Sequence, residues 1–123
     1  MSKFLDIMLR PEVPSVEKEL PTAIYEIKRL SKLLKEPVTL ELRGLPYGKA
    51  QALRAMEVDQ EVQILLAGCP ELKDEGLKAK FGGATPAETA KAMLLPGEIA
   101  DLSRAVERLS GYRQVTIREI KNG

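Results

Sequence analysis

The residues best able to do chemistry in this chain each lack a neighbour that their chemistry requires. Gly44, Leu45, Pro46, Tyr47, Gly48, Lys49 and Ala50 form a glycine-bounded loop ending near a lysine, the kind of segment whose backbone N–H groups cradle phosphates. A phosphate loop needs one more residue between its glycines than Gly44 and Gly48 allow. It also needs a Ser or Thr hydroxyl for magnesium where Ala50 stands. The segment therefore reads as a turn into a helix. With no histidine anywhere, the commonest general base and transition-metal ligand are both missing. Cys69, the single cysteine, has no partner for a disulfide, a zinc site or an activated nucleophile, and reads as a small apolar residue at a helix end. The carboxylate pairs Asp74/Glu75 and Glu98/Asp101 lie in charged helical stretches with Lys or Arg nearby, which suits solvated ion pairs better than acid–base work. The basic group Lys28, Arg29, Lys32 and Lys35 has only Tyr25 as an interleaved aromatic and is offset by Glu26 and Glu36. The sequence thus points away from an enzyme and from any cofactor or metal.

Charge and composition narrow the partners. Nineteen basic residues against eighteen acidic ones leave a net charge of +1, too little for a field that gathers phosphate backbones or anionic lipid. No apolar stretch approaches the roughly 20 residues of a membrane-spanning helix, and with a lone cysteine and a start that lacks the pattern of a secretory signal the expected setting is a reducing cytosol. The chain is 44% hydrophobic and 30% charged, enough for a real core. That core must be aliphatic, because the aromatics are only Phe4, Tyr25, Tyr47, Phe81 and Tyr112.

The elements that would position these residues follow from periodicity and punctuation. Phe4, Leu5, Met8 and Leu9 have helical spacing within Met1 to Leu9, and Pro11 and Pro14 then impose an extended arm, residues 1–21 together. The arm either folds against the core or docks on another subunit. Val38, Leu40 and Leu42 alternate with polar residues up to Gly44, a half-buried strand whose nearest partner is Ala23 to Leu30, with Ser31 to Glu36 as a turn or helical loop. Residues 22–45 are therefore read as a β-hairpin, although Ala23, Ile27, Leu30 and Leu34 also fit a helix. Helices are expected from Pro46 to Met56, around Val58 to Leu66 until Gly68, and from Leu72 to Phe81. Thr85, Pro86 and Glu88 carry the signals of a capped helix start, running to Met93. Pro96 opens a last helix whose Ile99, Leu102, Val106 and Leu109 make an apolar seam. Residues 46–112 form the helical region and 113–123 a tail in which Val115 to Ile120 is either strand or helical turn. The expected fold is a single domain of α+β class, predominantly α-helical, with a small antiparallel hairpin packed against about four to five helices.

The run Ala92, Met93, Leu94, Leu95, Pro96, Gly97, Glu98, Ile99, Ala100, Asp101, Leu102, followed by an amphipathic helix and Ser110, Gly111, Tyr112, resembles the XkdN-like tail assembly chaperones of contractile-tailed phages and defective prophages. Glu36 to Arg43 before a helix, Pro70, Glu71, Leu72, and Phe81, Gly82 match the same layout, so the likeness covers about residues 24 to 112. It departs at Leu33 and Leu34, where the family pattern has a polar, glycine-containing turn.

This resemblance implies a non-catalytic role: binding the long, helical tape measure protein and keeping it soluble until the tail tube forms around it. Other tail proteins are further candidate partners, self-association is left open, and some relatives exist in a second form extended by ribosomal frameshifting. Recognising amphipathic helices without demanding one sequence requires an exposed apolar groove. The candidate partner-binding residues are Met56, Met93, Ile99, Leu102, Val106 and Leu109, each of which has the monomer's own core as its competing use. Two rivals follow. One is a structural tail completion or connector subunit. The other is a helix-turn-helix DNA-binding protein using Thr85 to Leu109, disfavoured because Glu98 and Asp101 would face phosphates.

Overall fold

The computed structural model describes residues 2–121; Met1 of the expected first helix and Asn122 and Gly123 of the expected tail lie outside them. Among the described residues a two-stranded antiparallel sheet sits with seven α-helices, the α+β, predominantly helical class read from the sequence, and five of those helices lie within residues 46–112.

Helix α1 spans Lys3–Met8 and begins at Ser2, whose hydroxyl accepts from the Leu5 N–H at 3.2 Å. None of its residues is buried. Residues 9–21 follow as a series of turns rather than a fully extended arm, with backbone bonds from Val13 to Arg10 and from Lys18 to Ser15.

Strand β1, Thr22–Glu26, pairs with β2, Thr39–Arg43, in the register Thr22 to Arg43 and Glu26 to Thr39. Alternation works as the sequence suggested on β2, where Leu40 and Leu42 are buried and Thr39, Glu41 and Arg43 are exposed. The first strand is shorter than the expected Ala23 to Leu30. Ile27 donates to the Val38 carbonyl at 3.0 Å, closing the ladder, and the chain enters helix α2, Lys28–Leu34. The two periodicities of this segment are thus both used, strand first and helix second. Helix α2 stops at Lys35 in the left-handed region, and the Ser31 hydroxyl accepts from the Val38 N–H at 2.8 Å, tying the helix to the start of β2.

Helix α3, Tyr47–Arg54, starts one residue after Pro46, which serves as its N-cap, and α4, Gln60–Gly68, resumes after a break at Ala55–Asp59. A short 3-10 turn, Pro70–Lys73, and α5, Glu75–Phe81, replace the single helix expected over Leu72 to Phe81. Asp74 is the reason for the split: its carboxylate accepts from the Gly76 and Leu77 N–H groups, at 2.8 and 3.3 Å, and caps α5. Helix α6, Pro86–Met93, has Thr85 as N-cap as expected, but Glu88 reaches back to the Ala84 N–H rather than to that of Thr85.

Helix α7, Pro96–Leu109, packs along α4 and over β2. Val62, Ile64, Leu65 and Leu66 of α4 are buried, while Gln60, Glu61 and Gln63 keep one side of the helix polar. The first turn of α7 is held by Glu98, whose Oε1 accepts from the Leu95 N–H at 2.7 Å while both carboxylate oxygens take a two-pronged ion pair from Arg29 of α2, at 2.9 and 3.0 Å. The Arg29 guanidinium, with help from the Leu95 N–H, holds the Glu98 carboxyl below its ordinary range. A lowered folded-state value means that the stabilisation is present above the ordinary carboxylate range and is lost as pH falls through the folded value. Glu98→Gln is therefore expected to lower the melting temperature near about pH 7, with the gap to the parent closing in acid, where carboxylates are protonated. A gap independent of pH would show that the charge of Glu98 contributes nothing.

Candidate protein-docking site

Three concavities on the described residues bear on docking. One, about 700 Å³ between α4 and α7, is bordered by Glu57, Asp59, Gln60, Glu61, Lys91, Ser103, Glu107 and Arg113, and its rim is bridged by the Lys91–Asp59 ion pair at 2.5 Å. A second, about 530 Å³ between β1, α2 and α7, is lined by Lys28, Arg29, Glu98, Asp101, Arg104 and Arg108, with Arg29 and Arg104 already bound to Glu98 and Asp101. Both also have apolar lining, Val62, Ile64, Leu94 and Ile99 in the first and Ile27, Leu102 and Ala105 in the second, but their rims are charged and partly closed by ion pairs.

The third is of different character. Ile27, Leu30, Val38, Leu40, Leu72, Leu77, Met93 and Leu94 line an open groove of about 380 Å³, and the only charged residues along it are Glu71 and Asp74. Its walls come from β2, α2, the 3-10 turn, α5 and the end of α6. Ile27, Leu40, Leu72 and Leu94 are buried, whereas Leu30, Val38, Leu77 and Met93 are half-buried and can take another apolar surface at little structural cost. The mixture of a fixed floor and partly open walls, including a flexible methionine, fits a surface that accepts differing apolar side chains.

The structure distributes the residues singled out in the sequence unevenly. Met93 lines this groove. Ile99, Leu102 and Val106 are buried in the core, at 7%, 6% and 0% exposure, and Leu109 is half-buried beside them. Met56 stands apart at the end of α3, 38% exposed. Spacing along α7 identified an apolar face correctly, but α4 and β2 occupy that face.

The remaining chemistry-bearing residues have structural surroundings. Cys69 is 1% exposed, and burial together with the neighbouring Glu71 carboxylate, 3.7 Å from its Sγ, pushes its thiol up to about 12. A thiol held neutral in this way is a poor nucleophile and serves as part of the core. Gly44 rests against the backbone at the end of α7, and the next N–H, from Leu45, donates to the Ser110 hydroxyl at 2.8 Å. The glycine loop is thus spent on joining β2 to α7.

One anchor had no clear sequence signal. Glu107, buried at 7%, receives Arg113 at 2.7 Å and Arg54 at 3.4 Å, and Arg54 stacks on the Tyr112 ring at 3.8 Å. This cluster binds α3 and the start of the tail to α7. Beyond it Val115, Ile117 and Ile120 are exposed in chain without regular structure.

No helix among the described residues is long and apolar enough to cross a membrane. Compared with known families, residues 5–121 match the model described as Phage XkdN-like tail assembly chaperone protein. No curated protein and no solved structure matches the chain.

Proposed function

We propose, from the premise that this chain belongs to the XkdN-like family of phage tail assembly chaperones, that it works without catalysis by binding the tape measure protein and keeping it soluble in the host cytoplasm before the tail forms. The observation that carries the reading is the groove beside β2, α5 and α6: apolar along its floor, half-open along its walls and charged only by Glu71 and Asp74. Segments of a long amphipathic helix would lay their apolar residues on Leu30, Val38, Leu77 and Met93, and basic residues flanking that face would meet the two carboxylates. Ile99, Leu102 and Val106 contribute from behind, by fixing α7 and α4 as the frame on which the groove is built. Other tail proteins with similar helices are candidates for the same surface, and a prophage or a phage genome would equally supply them.

Co-expression with the tape measure protein of the same phage or prophage tests this. The tape measure chain is expected to stay soluble and to co-purify, and Leu77→Asp, at a half-buried groove position, is expected to return it to the pellet. If the tape measure chain is insoluble and unbound beside the parent protein, the role is wrong. Presence of this protein in purified mature particles would then favour a structural tail subunit.

A further inference from the structure

Among the described residues strand β1 is paired along one edge only. The bonds from the Ile27 N–H to the Val38 carbonyl and from the Gly44 N–H to the Pro21 carbonyl mark the odd-numbered positions of this strand as those facing β2. Hydrogen bonding alternates along an antiparallel strand, so Ile24 and Glu26 aim their N–H and C=O groups away from β2. Beside this edge lies the cleft of about 530 Å³, with Tyr25 and Ile27 on one wall and Leu102, Ala105 and Arg108 of α7 on the other. A strand edge open beside a cleft recognises extended main chain.

The end of the chain has the matching chemistry. Val115, Thr116, Ile117 and Ile120 are β-branched, the type that favours strands, yet residues 115–121 have no regular structure, and Val115, Ile117 and Ile120 are 87%, 83% and 71% exposed. Alternation decides which side chains share a face. With Arg118 opposite Glu26 and Ile120 opposite Ile24, all four side chains lie on the exposed face of the sheet, arginine beside carboxylate and isoleucine beside isoleucine. The intervening residues point the other way, Ile117 beside Ile27 and Glu119 toward Arg108 of the cleft. Among the described residues none of Glu26, Arg108, Arg118 and Glu119 has an ion-pair partner.

The tail does not reach its own β1 in this direction. Arg113 is fixed to Glu107 in the cavity between α4 and α7, on the side of α7 opposite the cleft. An antiparallel strand enters at the Ile27 end, which Arg29 ties to Glu98 at the start of α7. The helix rises about 14 Å between Glu98 and Glu107. The chain must also pass around it, which exceeds the roughly 14 Å that residues 114–117 can span.

We propose that the tail of one copy adds to the free edge of β1 of a second copy as a third, antiparallel strand, with Arg118 opposite Glu26 and Ile120 opposite Ile24. Reciprocal addition closes the assembly as a two-fold dimer, because each copy contributes one tail and one edge. The pairing is made by main chain and by matched charges, and it does not rest on the tape measure reading.

The test uses the full chain in sedimentation and amide hydrogen exchange. The parent is expected to be a concentration-dependent dimer in which the Ile24 and Glu26 amides exchange more slowly as concentration rises. Ile120→Pro removes a donor from the added strand at a position without regular structure, so the melting temperature of the monomer serves as the control for intact folding. This variant is expected to dissociate at least about tenfold more readily. Glu26→Arg is expected to weaken the dimer as well, and Arg118→Glu in the same chain to recover part of the loss, which association through another face would not show. A parent monomeric at all concentrations overturns the proposal, including one whose Ile24 and Glu26 amides are slow in the monomer. An Ile120→Pro dimer as tight as the parent, or a charge reversal with no recovery, overturns it equally.

Discussion

Leu65→Ala is expected to destabilise the folded chain by about 2–5 kcal/mol, the range for emptying a fully enclosed leucine site. Leu65 is 0% exposed and lies on α4, whose neighbours are α3, α6, the 3-10 turn and α7. Surrounded on so many sides, the site cannot collapse by moving one element, and a cavity persists. Set against the roughly 5–15 kcal/mol of a typical domain, a loss of this size moves the urea midpoint far enough to be unmistakable. A change below about 1 kcal/mol would mean that α4 is not the element around which the helices close.

Gly44→Ala should do comparable damage for the opposite reason. A methyl group there would stand 2.5 Å from the Leu109 carbonyl oxygen and 2.8 Å from its carbon, and both are backbone atoms that cannot rotate aside. Either β2 or the end of α7 must retreat, stretching the bond from the Leu45 N–H to Ser110 and the bond from the Ser110 hydroxyl to the Val106 carbonyl, each 2.8 Å long. Overpacking of this kind costs about 1–3 kcal/mol and sometimes more. Gly48→Ala provides the internal control, since its methyl group would meet nothing within 4 Å and α3 gains a better helix former. Equal melting temperatures for the two variants would remove the close approach of Gly44 to α7 as a feature of the fold.

Those two positions also mark where reading the sequence succeeds and where it stops. Thr85–Pro86 and Pro96 announce helix starts through local chemistry, and Leu40 and Leu42 announce a strand through local alternation, so these elements were legible. The segment after Glu26 was not, because Ile27 and Leu30 satisfy both periods and only the bond from Ile27 to Val38 decides where the strand ends. Leu33 and Leu34, the point of departure from the family pattern, fall on α2, which occupies the connection in place of a short turn. The groove was least legible of all. Its walls are drawn from residues as far apart as Ile27 and Leu94, and no window of sequence contains them together. The seam on α7 was visible as an apolar face, but whether such a face meets a partner or the same chain depends on α4, and periodicity carries no information about that choice.

The central place of α4 has a consequence for how the chain is made. During synthesis Val62, Ile64, Leu65 and Leu66 emerge from the ribosome long before Ile99, Leu102 and Val106, the residues of α7 that cover them. For that interval the apolar residues of α4 lack the face that covers them in the fold, and only Gln60, Glu61 and Gln63 give the segment a polar side. The core is complete once α7 packs on α4 and β2, so the domain is expected to fold as a unit after α7 is made.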